Sequence, residues 1–357
     1  MTHRFLHLFR QGLEHVVAAS RDTDERARRC GRHGLPNGIP MRMRILITGA
    51  GLLGAHAAAA LLDGGHEVTL FDIAPNAPYV RDVVGGRRIR IIAGDVTDAA
   101  ALTRAAAGHD AVVHTAGLIG PKAQEDPGRA LAVNVVGTLN AAAAARDSGA
   151  KRFVYASTHG VYDFAAKVAG PMTEAWPTDA RAVYPATKLA AEHLLRALAD
   201  AYGISVIVLR LVNLFGRGTY AAGSRGGEAF DELVTSAVRG DVGRIRPPLA
   251  GRSEWLYAKD AARAVALATA ARISERFTLV NIGSGRLTGP EDVTAAIRAA
   301  VPNAAFAAAG PPGRERAQAF DLTRARSVLG WAPEYTLESA VADYVREAQS
   351  PHTAGSE

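Results

Sequence analysis

The sequence predicts an α/β fold, a parallel and doubly wound sheet with a smaller C-terminal lobe. Three observations predict it. Short β-branched runs alternate with helical stretches from Arg44 to Leu211, a glycine-rich turn joins the first run to the first helix, and an acid, Asp72, closes the second run. Alternation of this kind implies right-handed crossovers and helices on both sheet faces.

Residues 44–48 read as a buried strand, 52–64 as a helix and 67–72 as the second strand, which together make one βαβ unit. Further strands are predicted at 89–93, 111–115, 152–156 and 205–211, with helices at 99–107, 128–147 and 185–202. After Gly216 the rhythm breaks into Gly-, Pro- and Arg-rich stretches, with helices predicted at 227–239, 259–270, 290–300 and 338–348.

Composition excludes several classes. With 48% hydrophobic residues in 357, the chain can bury a core. Its longest apolar stretches, 55–62 and 141–145, are too short to cross a bilayer, so no membrane partner is predicted. The net charge of +6 sits mostly at the front: residues 1–42 hold eight Arg against Glu14, Asp22, Asp24 and Glu25. The body lacks a basic run interleaved with aromatics, which argues against nucleic acid. The single cysteine, Cys30, allows no disulfide and no thiolate metal cluster within the chain. No metal site is predicted, and a reducing cytoplasm is the expected compartment. Residues 1–42 read as an N-terminal extension. His3, Arg4, His7 and Arg10 interrupt the apolar block that a signal peptide needs. Translation from Met41 or Met43 and a genuine extension are both open.

The turn runs Thr48, Gly49, Ala50, Gly51, Leu52, Leu53, Gly54, a GxGxxG. Its glycines permit close approach of a pyrophosphate, which the helix N-terminus at Leu52 and Leu53 then faces. Alone this spacing is often a plain strand–helix turn. Asp72, eighteen residues after Gly54, adds weight, because an acid there binds the adenosine ribose and repels a 2′-phosphate. The plainer reading of Asp72 is a loop or capping acid. Together the two features predict a Rossmann-type site for NAD rather than NADP. Asp95 and Val96 are placed at the adenine, with a helix N-cap as the alternative for Asp95. Residues 43–215 are therefore assigned to the NAD-binding domain, with 250–283 returning to it, and 216–249 and 284–349 to a substrate lobe.

Thr115, Ala116 and Gly117 after the fourth strand and Asn134 in the next helix complete the cofactor set, joined by Tyr184 and Lys188. The last two stand four apart on one helix face. A lysine ammonium near a phenol, with oxidised nicotinamide, favours phenolate, so Tyr184 can shuttle a hydroxyl proton. Thr158 can hydrogen-bond the same substrate oxygen while the nicotinamide takes hydride. A lone YxxxK on an exposed helix usually does nothing; its place after a fifth strand, behind a dinucleotide turn, gives it weight.

Residues 44–347 resemble the extended short-chain dehydrogenase/reductases, specifically the NAD-dependent epimerase/dehydratase family. The matching pieces are Arg210, Asn213, Phe215 and Gly216; Trp255 to Asp260; Asn281 to Gly285; and Leu329, Gly330, Trp331. The resemblance puts the catalytic hydroxyl on Thr158, four before Tyr162, and leaves Ser157 as its neighbour. It implies a secondary alcohol, sugar or nucleotide-sugar substrate, with Ser157, His159 and Asn213 near it, and a homodimer through the helices at 128–147 and 185–202.

Three departures bear on the substrate. The family's turn is GxxGxxG, one residue longer. Sugar 4,6-dehydratases follow the catalytic Thr with an acidic pair, whereas this chain has His159 and Gly160, which disfavours dehydration. The family's Arg-Asp-aromatic segment is Ser253, Glu254, Trp255, so Arg244, Arg246, Arg314 and Arg316 are left as candidates for an anionic group or as ordinary surface charge. An epimerase, a net dehydrogenase of a non-nucleotide alcohol, and a non-catalytic dinucleotide-binding regulator remain open, and retention of Thr158, Tyr184 and Lys188 together argues against the last.

Overall fold

Strand β1 (Arg44–Thr48) is buried from Ile45 onward, on both faces, as a central parallel strand must be. The others in chain order are β2 (Glu67–Asp72), β3 (Arg90–Ala93), β4 (Ala111–His114), β5 (Arg152–Thr158), β6 (Ser205–Leu211), β7 (Asn213–Phe215), β8 (Val242–Ile245), β9 (Ser253–Tyr257), β10 (Phe277–Ile282), β11 (Leu287–Thr288) and β12 (Ala305–Ala308). The computed structural model describes residues 42–349 except 219, 221 and 222, so the expectations for residues 1–41 lie outside the described residues.

Seven strands form one sheet in the order β10-β6-β5-β4-β1-β2-β3, every pair parallel. The order reverses between β1 and β4. In an open α/β sheet the crevice beyond the strand C-termini at such a reversal receives the ligand. On one face the helices Leu52–Asp63 and Ala258–Ala270 pack together, and both place small buried residues, among them Ala55, Ala58, Ala261 and Ala264, in the core there. On the other face lie the helices Ala99–Ala106, Gly137–Ser148 and Val183–Tyr202.

The lobe has its own core of Phe230, Trp255, Tyr257 and Tyr344, where the rings of Phe215 and Phe230 stack 4.1 Å apart. Two small sheets frame it, β11-β9-β7 and β12-β8. Two distant motif pieces lock the lobe to the sheet. Buried Asp260 accepts hydrogen bonds from the amides of Glu334 and Tyr335 (2.9 and 3.0 Å), and the Trp331 indole donates to the Asp260 carbonyl (3.0 Å). No helix among the described residues is long and apolar enough to cross a membrane.

The structure differs from the sequence-based expectation in two places that matter for the site. The predicted helix 128–147 is interrupted: Pro127–Leu131 is followed by a π-turn, Ala132–Val136, before Gly137–Ser148 resumes. Within 250–283, the helix and β10 lie with the main sheet, but β9 pairs with β7 in the small one. The amide of Asn213 explains this, since it donates to Ser253 Oγ (2.9 Å) and the Glu254 carbonyl (3.1 Å), drawing the chain after β6 toward β9.

Candidate active site

The glycine turn is shaped by contacts that only glycine tolerates. Gly49 has φ +90°, and a Cβ there would stand 2.7 Å from the Ala116 amide nitrogen; one on Gly54 would stand 1.8 Å from the Gly49 carbonyl oxygen. At Gly51, which begins the helix Leu52–Asp63, nothing lies within 4 Å of the Cβ position, and neither a capping side chain nor an acid occupies that first turn. The turn is therefore packed below and open above at the start of a helix, as a pyrophosphate requires. Asp72 fastens it to β2: Oδ2 accepts from the Ala50 amide and Oδ1 from the Ala74 amide, both at 2.8 Å. Thr115 donates its hydroxyl to the Thr48 carbonyl at 2.8 Å.

Asp95 caps no helix. The cap of Ala99–Ala106 is Asp98, which accepts from the Ala101 amide, while Asp95 accepts from the Thr97 amide (2.9 Å) and from Arg129 (2.8 Å). Burial raises its pKa, but these bonds outweigh it and hold the carboxyl below its usual range. Val96 lies against Gly137, whose absent Cβ would be 2.7 Å from Val96 Cγ2.

The π-turn aims Asn134, fully buried, at the loop after β4. Its Oδ1 accepts from the Leu118 amide (2.7 Å), and its Nδ2 donates to the Leu118 carbonyl and to Thr187 Oγ1 (both 2.9 Å). Thr187 passes its own proton to the Tyr184 carbonyl at 2.7 Å. Behind Asn134 lies His114, buried between two threonines. The Thr138 hydroxyl donates to the Asn134 carbonyl (2.6 Å), so it can only accept from His114 Nε2 (3.0 Å), and His114 Nδ1 accepts from Thr48 (2.6 Å). That order fixes one neutral tautomer. Burial pulls the His114 pKa down to about 3, with Lys188 adding to it. A polar chain thus runs from Thr48, just before the glycine turn, to the first turn of the helix Val183–Tyr202.

Thr158 closes β5, and Tyr184 stands in the first turn of Val183–Tyr202, with its phenol near enough to feel the Thr158 hydroxyl. Burial drives the Tyr184 pKa well above its ordinary value, and Thr158 lowers it only in part. One turn on, Lys188 is buried, donates to the Ala156 carbonyl (2.8 Å) and lies 4.6 Å from the centre of the Tyr155 ring. Burial brings its ammonium down to about 7, against the pull of Glu192. A Cβ on Gly117 would be 3.5 Å from Lys188 Nζ, which places that loop over the lysine.

Glu192, one further turn along, went unnoticed in the sequence, although the spacing 184, 188, 192 marks a single helix stripe. Its carboxylate accepts from Ser157 (2.5 Å) and from Arg210 through Nε (3.1 and 3.2 Å) and Nη2 (2.6 Å), a buried pair. Arg210 also lies 4.6 Å from the Tyr162 ring, and the Tyr162 hydroxyl donates to Asn281 (2.6 Å). The Ser157 hydroxyl therefore faces Glu192, and the Asn213 amide is spent on β9. His159 is buried, and its Nδ1 hydrogen-bonds the Leu211 carbonyl at 3.0 Å. Burial first, and the charge of Arg316 second, keep it neutral. Of the four arginines left open, Arg244 and Arg314 are exposed and Arg246 pairs with Glu232 at 2.7 Å. Arg316 is half-buried, its guanidinium 4.0 Å from the Phe164 ring centre.

A dinucleotide turn at the sheet reversal, with Thr158, Tyr184 and Lys188 grouped beyond it, defines a Rossmann-fold oxidoreductase. The model of the NAD dependent epimerase/dehydratase family matches residues 45–283, and the chain belongs to that family as an NAD-dependent enzyme of the extended short-chain type. UDP-glucose 4-epimerase of Corynebacterium glutamicum is 29% identical, over 84% of this chain and 94% of the relative. dTDP-glucose 4,6-dehydratase of Xanthomonas campestris pv. campestris is 28% identical, over 84% and 91%. Among solved structures, MoeE5 in complex with UDP-glucuronic acid and NAD is 26% identical, with a TM-score of 0.72 over 85% of this chain and 98% of that one.

Proposed function

We propose that the protein oxidises a secondary alcohol of a sugar or nucleotide sugar and returns hydride to the same substrate, as an epimerase does. The observation that carries this is the convergence of the Tyr184 phenol on Thr158, one helix turn from buried Lys188. Tyr184 takes the proton of the substrate hydroxyl, Thr158 holds that oxygen, and Lys188 holds the phenol's surroundings polar and can accept a proton near neutrality. Bound NAD supplies the hydride acceptor and, when oxidised, a positive charge that favours the phenolate. Because burial alone disfavours phenolate at Tyr184, the base forms only when that charge and the substrate hydroxyl are present.

Gly49, Gly51, Leu52, Leu53 and Gly54 hold the pyrophosphate in this reading, and Asp72 the ribose, with Asp95 and Val96 at the adenine. Ser157 and Asn213 act through the framework, not by touching substrate, while His159 lines the substrate end. Dehydration is disfavoured because His159 and Gly160 follow Thr158 where an acid pair would be needed. The exposed Leu194 on Val183–Tyr202 supports a homodimer through that helix.

The test is anaerobic incubation with NAD and a panel of UDP-, GDP- and dTDP-sugars, free uronates and polyols, following NADH absorbance and product identity. Isomer formation without net NADH is the expected result. NADH accumulating with one alcohol makes the protein a net dehydrogenase, and no turnover of any member refutes the reading.

A further inference from the structure

We propose that Arg316 is a receptor for an oxyanion of the substrate, a carboxylate or a phosphate, at the Thr158 end of the site. The inference rests on the sugar-oxidoreductase reading and adds the charge of the substrate to it.

Arg316 is placed by its backbone. Gly313 and Gly251 cross so closely that a Cβ on Gly313 would be 2.3 Å from the Gly251 amide nitrogen, and one on Gly251 would be 2.5 Å from the Arg314 carbonyl oxygen. The Gly313 amide donates to the Ala250 carbonyl (3.1 Å) and the Arg316 amide to the Arg252 carbonyl (3.0 Å). Further along, the segment reaches the sheet domain, where the Met172 amide donates to the Ala319 carbonyl (2.9 Å) and the Asp321 amide to the Met172 carbonyl (2.9 Å). The strand of chain carrying Arg316 is thus tied down on both sides.

The side chain is positioned as well. Its guanidinium stacks 4.0 Å from the centre of Phe164, and that ring lies 5.9 Å from His159, the residue after Thr158. Among the described residues no carboxylate or carbonyl accepts a hydrogen bond from its five donors. Glu254, whose charge it feels, spends one oxygen on the Gly285 amide (2.7 Å) and the other on the Phe320 amide (2.9 Å). Burial draws the guanidinium down to about 10. A cation half removed from water with its donor fork unspent is costly to hold, and an anion that engages the fork in two parallel bonds repays that cost. Neutral His159 beside it adds no competing charge.

The experiment titrates inorganic phosphate, glucuronate, UDP and neutral glucose calorimetrically into the NAD-loaded protein and into Arg316→Met and Arg316→Lys, each checked by thermal melting. Turnover of acidic and neutral sugars is measured in parallel. Loss of a bidentate charged contact weakens binding roughly tenfold to a hundredfold in Arg316→Met, with a smaller loss in Arg316→Lys. Weakened glucuronate with unchanged UDP identifies a carboxylate, and the reverse identifies a phosphate. Equal anion affinity in wild type and Arg316→Met overturns the proposal, as does absence of any anion binding by wild type. Arg316-dependent binding without turnover of any sugar upholds the receptor and refutes the oxidoreductase reading instead.

Discussion

The two ends of the site are built on opposite rules. At the cofactor end polar groups are spent within the protein: both Asp72 oxygens accept backbone amides, Asn134 binds the loop after β4, and glycines fill spaces that no side chain could. At the proposed substrate end the Arg316 guanidinium is held by an aromatic ring, and none of the described residues accepts a hydrogen bond from it. In the proposed reading, a dinucleotide is received by a fixed shape, whereas substrate choice is left to a group whose hydrogen bonds remain to be made. Between the two stands the Tyr184 helix, anchored to both.

The largest effect is expected at that junction. Tyr184→Phe should lower turnover by about 10² to 10⁴-fold while leaving NAD affinity nearly unchanged, measured by steady-state kinetics and NAD titration. Equal loss of both would mean that the two ends are not separable. Arg210→Met should cost about 3–5 kcal/mol in urea unfolding, because it strands the Glu192 carboxylate in the interior. A loss below about 1 kcal/mol would show that the network beneath the helix is not what fixes it.

Lys188 offers a graded test. Folded, it releases its proton near 7, whereas unfolded it holds it up to 10.5. The unfolded chain therefore binds more protons between those values, and apoprotein stability contributed by this group rises with pH across that window, by up to about 1.4 kcal/mol per unit. Lys188→Met should remove that slope, seen as a flattened difference in denaturation midpoints from pH 7 to 9. The smallest effect belongs to Asp72→Ala, which should weaken NAD binding about tenfold and narrow the preference over NADP, read by comparing the two cofactors' affinities.

The glycine turn and the acid at the end of β2 were legible because each carries its reason in a few consecutive residues. The helix stripe of Tyr184 and Lys188 was read no further than Lys188, since Glu192 matters only through Arg210 and Ser157, which lie on β6 and β5. The helix predicted over 128–147 concealed the π-turn, because apolar periodicity persists through one extra residue. Among four scattered arginines nothing in sequence separates Arg316 from the rest; its ring contact with Phe164 spans 152 positions of chain and exists only in the fold.

The turn at Ala132–Val136 also bears on how this chain can vary. A π-turn is a helix into which one residue has been inserted, and its removal would restore a regular helix. The turn absorbs that residue locally, so Ala141, Ala142 and Ala145 keep their places against the sheet while Asn134 is turned onto the loop after β4.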